Sequence, residues 1–210
     1  MSIDEIIKQI RTICPDIPNE FILNTPLATA MFGKNTFGEP THVDLAVTIT
    51  KSQQVGTILK LANESDFSIC PISTGNNWGY GSVNPTDKRK LLILNLKELN
   101  AITEIDKASG LISLEPGVTQ EQLAGYLEDN NWHFMAPVTG AGPSCSIVSN
   151  ALERGYGPNP QTDHFSAITS LRYFIAHPDH CHREHCSAIT SLDGNCEKVC
   201  DCNDECHCPA

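Results

Sequence analysis

The stretch that most constrains this chain is residues 71–85, PISTGNNWGYGSVNP, a loop crowded with Gly75, Gly79, Gly81, Asn76 and Asn77. It follows directly on the apolar run FSICPI at 67–72, which reads as a strand. Glycine and asparagine tolerate the left-handed backbone region, so a strand ending in this composition can turn successive N–H groups toward one point. Such a nest binds anions, most often a phosphate. Ser73 and Thr74 add hydroxyl donors at its entrance, and with no lysine or arginine in the loop the backbone would carry the binding. It is no P-loop, because the terminal Gly-Lys-Ser/Thr is missing. Nor is it a dinucleotide fingerprint, since Asn84-Pro85 stands where a helix should open and the strand-like LLILNL (91–96) follows. The plain alternative is a glycine-rich hairpin loop without a ligand.

The flanking sequence supplies an α+β frame for this loop. Apolar residues at helical spacing over 3–13 predict a helix stopped by Cys14-Pro15, followed by a turn-rich approach through Asn24-Thr25-Pro26 and Gly38-Glu39-Pro40. The run VDLAVTI (43–49) predicts a strand, and Ser52 the N-cap of a helix whose apolar face is Val55, Ile58, Leu59 and Ala62. Beyond the loop come a strand at 91–96 and two short strands, 101–105 and 111–114, around the turn Ala108-Ser109-Gly110. Thr119 and Gln122 form a capping box for a helix with Leu123, Tyr126 and Leu127 on one face. Asn130-Asn131 ends it, and 132–136 reads as a further strand.

A second glycine-rich stretch follows at 139–163, TGAGPSCSIVSNALERGYGPNPQTD, with Ile147, Val148, Ala151 and Leu152 at helical spacing in its centre. A glycine turn at a helix start suits an anion or the close approach of a planar ligand; otherwise it is a tight turn before a core helix. Together the two glycine stretches would cover one ligand from opposite sides of a small α+β unit. Partners can be narrowed by charge. A net charge of −11 argues against nucleic acid, and no apolar run approaches the ~20 residues of a membrane span. The start, MSIDEIIKQI, reads as an amphipathic helix and not as a signal peptide, so a cytoplasmic protein is expected.

The order PISTGNNWGYG, LILNL, ISLEPGVTQEQL, TGAGPSCSIVSNALERGYGPNPQTDHF closely resembles the PCMH-type FAD-binding domain of the vanillyl-alcohol oxidase and p-cresol methylhydroxylase flavoproteins, over residues 37–171. The resemblance implies an α+β fold of two small α/β subdomains, the second incomplete, preceded by a lead-in at 1–36. It implies FAD as cofactor and a small phenolic or other alcohol-type substrate. The loop of Pro71, Ile72, Ser73, Thr74, Gly75, Asn76, Asn77, Gly79, Tyr80 and Gly81 would wrap the pyrophosphate. Thr139, Gly140, Cys145 and Ser146 would run beside the isoalloxazine ring, Ser146 donating from the helix start. Glu153, Gly155 and Asp163 would border the flavin or the adenosine. Cys145 and Ser149 stand where relatives usually carry glycine, and Pro158 where tyrosine is frequent. Family members are much longer, with a cap domain that supplies the substrate pocket and catalytic groups. No catalytic residue is named in this chain, and a partner chain supplying the cap is one way to complete it.

The last part, 172–210, is of another kind. Seven of the ten cysteines and five of the eight histidines lie from His177 onward, with seven acids against only Arg183 and Lys198. The segment DHFSAITSL (163–171) is nearly repeated as EHCSAITSL (184–192). One copy is too few for a repeat architecture. Cys196, Cys200, Cys202, Cys206 and Cys208 lie in almost apolar-free surroundings that cannot fold by burial. In a reducing compartment this density favours thiolate ligation of zinc or copper(I), with the run HCHREHC offering further ligands. The expected tail is irregular, disordered or ordered by metal, and adds no layer to the core. Two function classes result: a flavin-dependent oxidoreductase domain, poorly active alone, or a non-catalytic scaffold or carrier for a metal-binding or modified tail.

Overall fold

The computed structural model describes residues 1–35, 38–76, 83 and 88–174, together with the backbone of 186–190 and 196–199. The chain opens with helix α1, Ile3–Ile13, which carries a full capping box between Ser2 and Glu5 and buries Ile6 and Ile10. Strand β2 (Leu45–Thr48), helix α3 (Gln53–Glu64), strand β3 (Phe67–Ile72) and strand β4 (Lys90–Asn95) follow the predicted order. The residues before β2, expected to be only turns, also form a short strand β1 (Ile22–Asn24) and helix α2 (Leu27–Phe32). β1 is visible only through its antiparallel pairing with β2, a contact that local sequence does not announce.

The sheet order is β1-β2-β4-β3, with β2, β4 and β3 parallel. Alternation along the strands sorts its two faces. Leu45, Val47, Leu92 and Leu94 pack with Ile6, Ile10, Ile58 and Leu61 of α1 and α3. Ala46, Leu91 and Ile93 face Ala28 of α2, Val43 and Val83. On α3 the buried face is Gln54, Ile58, Leu61 and Ala62, so Leu61 takes the place predicted for Leu59. Ser52 does not cap with its side chain; it is already helical at φ −58°, and the Gln54 Oε1 accepts from the N–H groups of Thr50 (2.9 Å) and Lys51 (3.1 Å).

A second, smaller lobe follows. Strands β5 (Ile102–Asp106) and β6 (Leu111–Leu114) make the predicted hairpin, and helix α4 (Gln120–Asp129) begins at the predicted Thr119–Gln122 box. Val118, Leu123, Leu127, Trp132 and Ile147 form its core. No strand forms at 132–136. Trp132 is buried, and Phe134 meets its ring edge-on at 5.9 Å and lies over Gly110; a strand there has no ladder partner. Helix α5 (Ile147–Leu152) starts at Ser146, as predicted. A 3-10 turn (His164–Ala167) leads to β7 (Ser170–Tyr173), beyond which Phe174 comes within packing reach of Gly56 on α3.

Within the cysteine-rich tail, the backbone of β8 (Cys186–Thr190) pairs antiparallel with β7 and with β9 (Cys196–Val199). Ser166–Leu171 and its identical copy at 187–192 therefore differ in fold: the first begins in a 3-10 turn, the second in a strand. Asn77, Gly79, Tyr80, Gly81, Cys200, Cys202, Cys206 and Cys208 lie outside the described residues.

Candidate functional site

Ligands of open α/β sheets bind beyond the carboxyl ends of parallel strands, and three such ends meet here. Ile72 closes β3 opposite Asn95 of β4, and the Leu96 N–H donates to the Ile72 carbonyl at 2.7 Å. Asn95 is buried and donates from Nδ2 to Thr48 Oγ1 of β2 (2.9 Å), while its Oδ1 accepts from the Lys97 N–H. The strand ends are thus locked at one level, from which residues 73–76 leave.

Gly75 has φ +72°, a conformation disfavoured for other residues. A Cβ built on it would meet no atom within 4 Å, so that side of the loop stands open. Among the described residues, none accepts from the backbone N–H groups of Thr74, Gly75 or Asn76. Those donors fit an anionic ligand such as the FAD pyrophosphate. Side chains hold the loop instead. Ser73 Oγ lies 2.5 Å from Ser149 Oγ, the Ser146 N–H donates to Thr74 Oγ1 (3.1 Å), and Asn76 Nδ2 donates to Ser144 Oγ (2.8 Å). The two glycine stretches, read as opposite walls, are therefore joined directly.

The second wall is built on the segment EPGVT (115–119). A Cβ on Gly117 would strike the carbonyl oxygens of Lys97 and Leu99, and the Gly117 N–H donates to the Leu99 carbonyl at 2.7 Å. Only glycine permits that approach. Next in line, the Pro116 carbonyl accepts from Ser146 Oγ (2.6 Å) and the Val118 carbonyl from the Ile147 N–H (3.0 Å). The Ser146 hydroxyl is buried, donating to Pro116 and accepting from the Ser149 N–H (3.1 Å), so it caps α5. The turn at 139–145 sits on the start of α4. The Gln120 N–H reaches the Cys145 carbonyl, and the Gln120 amide holds Thr139 from both its ends, at 3.0 and 3.2 Å. Cys145 is buried, and Gly140 is exposed beside Thr139.

Around α5 a third group forms. Glu153 lies exposed at its C-terminal end. Gly155 fits against the Asn150 side chain where no Cβ has room, and the His164 N–H donates to its carbonyl at 2.8 Å. His164 Nδ1 is hydrogen-bonded to Asn150 Oδ1, and Gly157 lies against the far edge of that imidazole. Asp163 accepts from Ser166 N–H and Oγ and from Arg154 Nη1 (3.0 Å). The Ser166 bonds, then Arg154, hold its carboxyl below the usual carboxylate range. A pocket of about 400 Å³ opens here, lined among others by Met135, Val138, Gly157, Asn159, Asp163 and His164. Asn150, His164 and Gln120 are not singled out by the sequence; the only signal for Gln120 and Asn150 is a polar residue beside the apolar face of a helix, and His164 stands in a polar turn that carries none. Among the described residues no cluster of histidines, cysteines or acids could hold a metal ion, and no helix is long and apolar enough to cross a membrane.

Residues 43–177 match the family described as FAD binding domain. The chain belongs to that family. It is 39% identical over 138 residues to the 4-cresol dehydrogenase [hydroxylating] flavoprotein subunit of Pseudomonas putida, covering 64% of this chain and 26% of that protein. Against the 1'-carboxy-chondrochloren decarboxylase of Chondromyces crocatus it is 32% identical over 140 residues, 67% of this chain and 26% of that one. The crystal structure of p-cresol methylhydroxylase with substrate bound superposes with a TM-score of 0.73 at 27% identity, over 95% of this chain and 36% of its counterpart. The 4-ethylphenol oxidase of Gulosibacter chungangensis shares the fold at TM-score 0.67. The chain thus spans about a quarter of the length of the curated relatives it matches. This FAD-binding domain has the fold expected from its sequence, and its family is one of flavin-dependent oxidoreductases.

Proposed function

We propose that this FAD-binding domain serves the oxidation of a phenolic or other alcohol-type compound, with the Ser73–Asn76 loop taking the FAD pyrophosphate and the 139–146 turn bordering the ring. The carrying observation is the row of N–H groups at Thr74, Gly75 and Asn76 that meet no acceptor among the described residues, beyond the ends of three parallel strands. FAD, when bound, supplies a two-electron acceptor. The residues of this chain bind and orient it: backbone donors neutralise the phosphates, and the Gln120–Thr139 clamp fixes the turn. The substrate class is supported by the names of relatives that act on 4-cresol and 4-ethylphenol.

The chain alone turns over slowly in this reading, because the matched region is only 26% of each of these relatives and a partner or further segment supplies the pocket over the ring. Loss of substrate positioning costs on the order of 100-fold, and loss of a proton acceptor another ~10²–10⁴-fold. The test is an absorption spectrum of the purified protein after FAD loading, then anaerobic mixing with 4-cresol. Retained flavin that bleaches slowly is expected. Failure to retain flavin overturns the cofactor assignment, and rapid bleaching overturns the need for a further pocket. The density of cysteines from Cys196 to Cys208 favours a separate reading, a scaffold whose tail binds zinc or copper(I) by thiolates; stoichiometric metal on flavin-free protein would establish it.

A further inference from the structure

We propose that Ser149 and Ser144 are positioning residues for FAD: with the Ser146 backbone they form a rail that holds the Ser73–Asn76 loop in its anion-binding conformation. This rests on the assignment of FAD to that loop. The geometry is a run of three rungs in opposite chain directions, Ser73 to Ser149, Thr74 to Ser146 and Asn76 to Ser144. Each rung uses a side chain of the loop, and none uses its backbone N–H groups. The loop is therefore tied down while, among the described residues, the donors that would meet a phosphate remain available.

The rail is anchored where it matters. Ser146 is buried and bonded to Pro116, and the adjoining turn is held by Gln120 and by the start of α4. The loop in turn begins at the locked ends of β3 and β4. A flexible loop must be ordered when ligand binds, and that ordering reduces affinity; a loop already held in place avoids the loss. Opening of such a segment is local and need not weaken the whole fold. Removing a rung should therefore weaken FAD binding without a matching fall in thermal stability.

The experiment compares full-length protein with Ser149→Ala, Ser144→Ala and, as a control on exposed β6, Ser113→Ala. FAD affinity is read by flavin fluorescence quenching, loop order by amide exchange at residues 73–76 without FAD, and global stability by thermal midpoint. One neutral hydrogen bond corresponds to roughly a 3- to 10-fold loss of FAD affinity for Ser149→Ala and Ser144→Ala. Exchange at 73–76 should accelerate by a similar factor, with the midpoint close to that of the parent. In Ser73→Ala/Ser149→Ala the second substitution should add little, because both remove one rung. Unchanged affinity in the rail variants, with the parent binding FAD, overturns the proposal. So does a loss of affinity that merely tracks a fall in the midpoint. If the parent binds no FAD, the cofactor assignment fails and the positioning role with it, while exchange at 73–76 still shows whether the rail orders the loop.

Discussion

The two lobes of this domain bury their apolar residues to very different extents. In the first, a four-stranded sheet is covered on one face by α1 and α3 and on the other by α2, and its central strands β2 and β4 are buried almost throughout. In the second, a two-stranded hairpin and two helices enclose a smaller core. Phe134, Met135 and Tyr156 remain 49, 83 and 56% exposed. A three-layer arrangement completes its own core, whereas a lone hairpin needs further packing. The lobe with the large core holds the glycine loop that begins at Ser73, and the lobe with the small core supplies the wall that braces it. Stability and ligand geometry are therefore drawn from different places.

The largest effect expected is in the first lobe. Leu92→Ala, at a fully buried position facing α1 and α3, should cost about 2–5 kcal/mol in urea denaturation. If the lobes fold as one unit, Trp132 fluorescence in the second, read in a Trp78→Phe background, should report the same shift. A Trp132 transition that stays in place would separate them. Next is Gly117→Ala, at the joint between the lobes. Its Cβ would strike backbone oxygens of Lys97 and Leu99, so relief requires backbone movement and costs about 1–3 kcal/mol. FAD affinity should fall as well, because the same segment anchors Ser146.

Gly75→Val separates ligand geometry from stability. The site has room for a side chain, so the cost is conformational: about 1–2 kcal/mol for an L-residue held in the left-handed region, and more for a β-branched one. FAD titration should show at least ~10-fold weaker binding, or none, while Asp44→Ala, away from the loop, retains FAD. Equal FAD affinity in Gly75→Val would remove the nest from the phosphate role. The smallest effect belongs to the second lobe. Asp163 has its carboxyl pKa depressed, first by Ser166 and then by Arg154. Its contribution is present above the unfolded carboxylate pKa and disappears as pH falls through the lower folded value. The stability gap between the parent and Asp163→Asn should accordingly close on acidification from neutral pH.

The sequence by itself determined the elements whose signals are local. Helical spacing with the Cys14-Pro15 stop placed α1, the Thr119–Gln122 box placed α4, apolar runs placed β2, β3 and β4, and the turn at Ala108-Ser109-Gly110 placed the hairpin. The glycines and asparagines after β3 marked the loop, and Gly75 takes the left-handed backbone region there, which few other residues accept. Tertiary structure decided everything that depends on a distant partner. β1 exists because β2 pairs with it, and 132–136 is no strand because nothing pairs there. The same six residues, SAITSL, begin in a 3-10 turn at 166, where Asp163 caps it, and in a strand at 187, where β7 and β9 flank it. Ser146 spends its hydroxyl on Pro116, 30 positions away, and Ser149 meets Ser73 across 76. A hydroxyl can donate only one proton, and which acceptor receives it is settled by the fold that brings the two together.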